Sequence, residues 1–380
     1  MSNNAPQIRF KGYTHAWEKR KLGEVFEQTA EFVNPKENNI ELWSLTVENG
    51  LTPKTERYNR EFLVKKEDSF KVVSPNEFIY NPMNMTLGAV DLNSMGKKVA
   101  VSGYYITMQI KNDHSNDYFA VWLRSPKAIR LYKIFATGGL TEKQRVQFPT
   151  LSSIETLAPA LPEQTTIGQF FATLDSAITL HKQKLDGLRV LKKGYLQQMF
   201  PQAGESVPRV RFEGFDGDWV ERKLGDLLKV NSGRDYKHLN PGDIPVYGTG
   251  GYMLSVDESL SEYDAIGIGR KGTIDKPQLL KAPFWTVDTL FFMLPLPDND
   301  LCFLHAVSQE IEWAKLDEST GVPSLSKTNI ESIPRRVPTR AEQIAIGNFF
   351  RSLDGQITAQ AQKVDQLQTL KKAYLQKMFI

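Results

Sequence analysis

Glu163-Gln164-Thr165-Thr166-Ile167-Gly168-Gln169-Phe170-Phe171-Ala172-Thr173-Leu174-Asp175 opens a stretch that runs on to Leu191-Lys192-Lys193-Gly194-Tyr195-Leu196-Gln197-Gln198-Met199-Phe200. Glu342-Gln343-Ile344-Ala345-Ile346-Gly347-Asn348-Phe349-Phe350-Arg351-Ser352-Leu353-Asp354 opens a copy that runs on to Met378-Phe379. The offset is 179 without a gap, and 22 of 38 positions are identical. Chance does not give this, so the chain is read as an internal repeat. In the first copy Ile167, Phe171, Leu174, Ile178, His181, Leu185 and Leu188 are spaced 4, 3, 4, 3, 4, 3. Ile346, Phe350, Leu353, Ile357, Gln360, Val364 and Leu367 repeat that spacing in the second. This is the heptad seam of a helix that needs a helical partner.

Pro162 and Pro338 are expected just before the helix starts, and Pro201 stops the first helix. A helix of this length spans about 57 Å. The similarity of the copies implies antiparallel packing about a pseudo-two-fold axis. His181 and Gln360 then occupy matching polar seam positions. Lys184, Lys192, Lys193, Lys363, Lys371 and Lys372 are expected on the solvent side.

Working outward, a shorter box precedes each half. Arg9-Phe10-Lys11-Gly12 leads to Trp17 and Arg20-Lys21-Leu22-Gly23, and Arg211-Phe212-Glu213-Gly214 leads to Trp219 and Arg222-Lys223-Leu224-Gly225, at an offset of 202. The blocks between, residues 24–161 and 226–340, share no obvious sequence. Both carry aromatic and β-branched runs separated by turn residues, such as Phe78-Ile79-Tyr80 and Leu290-Phe291-Phe292-Met293. Each is expected to be an α+β domain, with short helices near 115–135 and 302–315. The expected division is 1–161, 162–200, 201–340 and 341–380: a domain, a helix, a second domain and a second helix.

Composition bounds the function. With 380 residues, 47 Lys plus Arg, 44 Asp plus Glu and a net charge of +3, the chain is long enough for two or three domains and is no polycationic coat. A local basic groove remains compatible with that balance. One cysteine, Cys302, leaves no intramolecular disulfide and no cysteine-built metal site. The opening Met1-Ser2-Asn3-Asn4-Ala5-Pro6 lacks a signal-peptide pattern, and no run approaches 18 apolar residues, so a soluble cytoplasmic protein is expected.

Catalytic signatures are missing. Gly267-Ile268-Gly269-Arg270-Lys271-Gly272-Thr273 imitates a phosphate loop, but its lysine precedes the last glycine and no helix is expected after it. No Gly-x-Gly-x-x-Gly opens a βαβ unit. His15, His114, His181, His238 and His305 are scattered, so no metal site is expected. Asn81-Pro82-Met83-Asn84 is only faintly similar to the Asn-Pro-Pro-aromatic element of adenine methyltransferases.

Both boxes and both long segments resemble those of the specificity subunit of a type I restriction-modification system. So do Tyr80-Asn81-Pro82-Met83, Val246-Tyr247-Gly248-Thr249-Gly250-Gly251, Ile268-Gly269-Arg270-Lys271-Gly272-Thr273 and Val287-Asp288-Thr289-Leu290 within the blocks. The first block lacks a Tyr-Gly-x-x-Gly element, which implies that the two blocks read different half-sites. The resemblance covers essentially the whole chain. It implies an α+β fold: two globular target-recognition domains joined by two long antiparallel coiled-coil helices in pseudo-two-fold arrangement.

The implied protein is a non-catalytic, sequence-specific DNA-binding subunit. Its partners would be double-stranded DNA, two modification (methyltransferase) subunits and restriction/translocase subunits, with no membrane involved. It would direct adenine methylation or restriction by those partners. It would bind no cofactor itself, with S-adenosylmethionine, ATP and Mg held by partner subunits. Helices of about 57 Å correspond to about 17 base pairs, so two half-sites of about 3–5 base pairs around an unread spacer of about 5–8 are expected. One alternative is a coiled-coil scaffold without DNA specificity, which a gel shift on random duplexes separates. Another is a hidden methyltransferase, which S-adenosylmethionine binding by the isolated chain would support.

The DNA-contact candidates are long or turn-borne polar residues. In the second block they are Gly248, Thr249, Gly250 and Tyr252, with Arg270 and Lys271. In the first they are Asn81, Asn84, Lys97 and Lys98. In the two boxes they are Arg20, Lys21, Arg222 and Lys223.

Overall fold

The computed structural model describes residues 4–35, 37–54, 70–111, 113–139 and 144–380, so Met1, Ser2 and Asn3 of the opening stretch lie outside the described residues. The chain forms two compact units: residues up to His181 together with Lys363–Ile380, and Lys182–Gln362. The boundaries between these units fall inside the long helices.

In the first unit, strands Phe26–Thr29, Ile106–Ile110, Phe78–Tyr80 and Val90–Leu92 lie side by side in that order, all antiparallel. Ile79 is buried on one sheet face, while Phe78 and Tyr80 join the larger core on the other, as strand alternation requires. Helices Asn116–Trp122 and Pro126–Phe135 cover that larger face. These are the short helices expected over 115–135, and Ser125 divides them. Its side chain caps the second helix by accepting from the Ala128 N–H, and Pro126 takes the first helical position. Trp17, Phe26, Phe119 and Trp122 fill the core beneath.

In the second unit, Leu228–Ser232, Leu290–Pro295, Ala265–Gly269 and Gln278–Leu280 form a sheet in the corresponding order, again all antiparallel. The two blocks share no obvious sequence, yet they share this topology. Strand order is common to them and residue identity is not. Helix Leu301–Gln309 is capped by Asp300, which accepts from the Phe303 N–H, and it is followed by a short 3₁₀ turn, Trp313–Leu316. A second sheet in this unit joins the hairpin Pro241–Gly248/Gly251–Val256 to Trp285–Thr286.

The long helices are Leu161–Gln198 and Arg340–Lys377. Pro162 sits in the first turn of the first helix, where its missing N–H costs nothing, and not before it as expected. In the first unit Phe170 meets Tyr374 edge to face at 5.0 Å and Lys371 pairs with Asp175. In the second Phe349 meets Tyr195 at 4.9 Å and Lys192 pairs with Asp354. Both sets of contacts run antiparallel. Lys192 and Lys371 are therefore ion-paired between helices instead of standing solvated. The seam is buried at Ile167, Phe171, Leu174, Ile178, Leu185, Ile346, Phe350, Leu353, Gln360 and Val364, and partly buried at His181, Leu188, Ile357 and Leu367. Its first positions meet the end of the opposite segment, Phe171 against Phe379 and Phe350 against Phe200, and also reach beyond it. Ile167 and Phe171, like Ile346 and Phe350, enter the core of their own unit.

Candidate nucleic-acid interface

Repeated residues build a frame, and the frame separates what is constant from what can read. Arg9 donates Nε and Nη2 to the Glu163 carboxylate at 2.7 Å each, and Arg211 does the same to Glu342 at 2.7 and 2.8 Å. The carboxylates are nearly inaccessible, and each hydrogen bond holds its arginine's pKa above the ordinary value. Gln164 accepts from the Ser115 N–H and donates to the Pro159 carbonyl, while Gln343 accepts from the Asp300 N–H and donates to the Pro338 carbonyl. Phe171 stacks on Phe379 in the first unit, and Phe350 on Phe200 in the second, both at 5.9 Å.

The box cations belong to this frame. Arg20 and Lys21 lie on Glu18–Lys21, which pairs with Glu155–Ala158, and Arg222 and Lys223 lie on Val220–Lys223, which pairs with Pro334–Val337. Arg20 is ion-paired with Glu18. None of the four lines the concavity described next.

In the second unit the candidates converge. The hairpin pairs Gly248 with Gly251 across Thr249-Gly250. Gly251 has φ +104, which a side chain would strain. Gln278 Nε2 donates to the Gly248 and Thr249 carbonyls at 3.1 and 3.2 Å and fastens the tip to the neighbouring sheet. Tyr252 follows with 62% of its surface exposed. The tip, with Asp235–Lys237 and Val287–Thr289, encloses an open concavity of ≈ 650 Å³. Arg270 and Lys271 approach the same turn from the other side, their N–H groups donating to the Thr289 carbonyl at 2.8 and 3.3 Å. The Arg270 guanidinium lies over the Phe291 ring at 5.7 Å. Two motifs some twenty residues apart thus flank one turn.

Asp235, Tyr236, Lys237, Asp288 and Thr289 also line this concavity and are absent from the candidates named from sequence. Gly233-Arg234-Asp235-Tyr236-Lys237 carried a signal, a glycine followed by cations and an aromatic. Gly233 is needed there because a Cβ would lie 2.0 Å from the Val287 carbonyl oxygen.

In the first unit the candidates do not converge. Asn81 and Asn84 sit in the turn after Phe78–Tyr80, where the Asn81 side chain accepts from the Met83 N–H. Lys97 and Lys98 lie beyond the opposite end of the same strand pair, because Phe78 is opposite Leu92 while Tyr80 is opposite Val90. Each lysine is ion-paired on the surface, Lys97 with Glu41 and Lys98 with Glu31.

Among the described residues there is no group of three or more His, Cys, Asp or Glu that could hold a metal ion, and no helix is long and apolar enough to cross a membrane.

Comparison with known proteins adds to this geometry. The family profile described as type I restriction modification DNA specificity domain matches twice, over residues 15–189 and 216–369. No curated protein sequence matches. Among solved structures, the type I restriction-modification system S subunit from M. genitalium superposes with TM-score 0.73 at 18% identity, covering 99% of each chain. A structure concerned with complex assembly and conformational transition of the type I R-M system gives TM-score 0.52 at 13% identity, covering 96% of this chain and 97% of that one. At these identities the superpositions speak for the fold.

Proposed function

The chain belongs to the type I restriction modification DNA specificity family, and from that premise we propose that it reads a DNA site split into two dissimilar halves and directs partner subunits to it. It is a DNA-recognition component. The observation that carries the split site is the double match, one specificity domain per half-chain, combined with frames that repeat and blocks that do not. A common frame with two different surfaces suits two different sequences. Long helices whose residues are shared between the two units suit a site with an unread spacer.

The finer assignment is that two modification subunits and restriction/translocase subunits supply all chemistry in the cytoplasm. On this reading the partners hold S-adenosylmethionine, ATP and Mg, and methylation falls on adenine. The neighbour whose printed subject is assembly of the type I R-M system supports partnership of this kind. The test is selection from randomised duplexes with the full chain, alone and with its modification subunits. A split motif is expected, with binding that weakens steeply as salt rises. Equal recovery of all sequences would sink the reading and favour the scaffold.

A further inference from the structure

The concavity of the second unit contains one group that does not fit phosphate binding. Asp288 lines it, exposed, with no hydrogen bond or ion pair to any described residue. The other carboxylate there, Asp235, is engaged: its Oδ1 accepts from the Lys237 N–H at 3.3 Å. The backbone around Asp288 is held from three directions. The Arg234 N–H donates to the Thr286 carbonyl at 2.9 Å, the Val287 N–H to the Tyr247 carbonyl at 3.0 Å, and the Arg270 N–H to the Thr289 carbonyl at 2.8 Å. Arg234 and Tyr247 adjoin segments that line the concavity, and Arg270 holds the turn from outside it. The carboxylate is thus fixed at its base and unspent at its tip.

A free carboxylate repels phosphate and only accepts hydrogen bonds. In the DNA major groove the group that suits it is the cytosine N4 amino group; adenine offers N6–H beside the N7 acceptor, which opposes a second carboxylate oxygen. The cations near the turn, Lys237, Arg270 and Lys271, suit phosphate and offset the repulsion of bringing Asp288 to DNA.

We propose that Asp288 is a specificity-determining residue that accepts a hydrogen bond from the amino group of one cytosine in the half-site read by the second unit. This rests on the DNA-reading function proposed above. Asparagine has the same shape but presents a donor as well as an acceptor, which matches adenine N6 and N7.

The experiment is parallel selection from randomised duplexes with the full chain and its modification subunits, comparing the natural protein, Asp288→Asn and Asp288→Ala. The natural protein is expected to require cytosine at one position of one half-site. Asp288→Ala is expected to lose roughly 5- to 150-fold of that preference. Asp288→Asn is expected to move it to adenine, with the other half-site unchanged in both variants. Two results overturn the proposal: an unchanged motif in Asp288→Asn, or a uniform weakening at every position. Asp288→Asn preserves volume and keeps the test decisive if the alanine variant fails to fold. Failure of the underlying reading shows separately, as a natural protein that selects no motif.

Discussion

Arg211 and Glu342 show how a single pair anchors a unit. The Glu342 side chain is 1% exposed, and both its oxygens are taken by the guanidinium. Arg211→Met leaves a buried carboxylate alone and is expected to cost about 3–5 kcal/mol. The double variant Arg211→Met with Glu342→Leu removes the stranded charge and should recover most of that loss in denaturant unfolding. His305 is a second residue-scale case. Burial lowers its pKa below the ordinary value; Asp354 opposes that shift and Lys192 reinforces it. The folded unit therefore holds His305 neutral, while the unfolded chain protonates near pH 6.5. Folding stability is full above that pH and falls as pH drops from there toward the lowered folded value. His305→Gln is expected to narrow the gap between thermal midpoints at pH 7.5 and pH 5.5, and an equal gap in both proteins counts against this account. The candidate site was partly legible at this scale. Gly248 and Arg270 stand out in the sequence because glycine and arginine in turns are conspicuous, whereas a single aspartate such as Asp288 does not. Its meaning depends on the fold, which leaves the carboxylate unpaired beside the hairpin tip.

The long helices are interrupted by no breaker, yet each carries a glycine in its second turn for a definite reason. A Cβ on Gly347 would lie 2.3 Å from Asp300 Oδ1 and 2.7 Å from the Phe303 N–H nitrogen. On Gly168 it would lie 2.6 Å from the Asp117 Cβ and 2.7 Å from the Tyr118 N–H nitrogen. The glycine lets the capped start of the block helix rest directly on the long helix. Gly347→Ala gains helix propensity but forces these elements apart, and it is expected to destabilise the second unit by about 1–3 kcal/mol. The same change at Gly355, which has open space around it, should be neutral or stabilising. Comparing the two by thermal melting isolates packing from propensity. The existence of the helices was legible in sequence because the heptad spacing is periodic, while the place of Pro162 at the first turn was not. The strand order of the two blocks was not, because pairing joins residues as distant as Phe26 and Ile110, and alternating burial leaves residue identity free.

At the scale of the molecule, the repeat is closed crosswise. The stretch ending in Met199-Phe200 follows the first unit's helix start but completes the second unit's core, and Met378-Phe379 completes the first unit's core. Lys182–Gln362 is thus a continuous unit, whereas the first unit is assembled from two separated stretches. A fragment of residues 182–362 is expected to melt cooperatively by itself. Residues 1–181 alone should not, and should regain a cooperative transition when a peptide of residues 363–380 is added in trans. Circular dichroism decides both, and a cooperative melt of 1–181 without the peptide would show that Phe379 and its neighbours are dispensable. The crosswise closure also bears on the birth of the protein. At about 5–20 residues per second, a ribosome needs roughly 10–40 s to make the intervening unit after His181. For that interval Tyr118 and Phe171 lack the ring that later meets both. The half made first is therefore finished last, and the nascent amino-terminal half is the stage at which chaperones have most to shield.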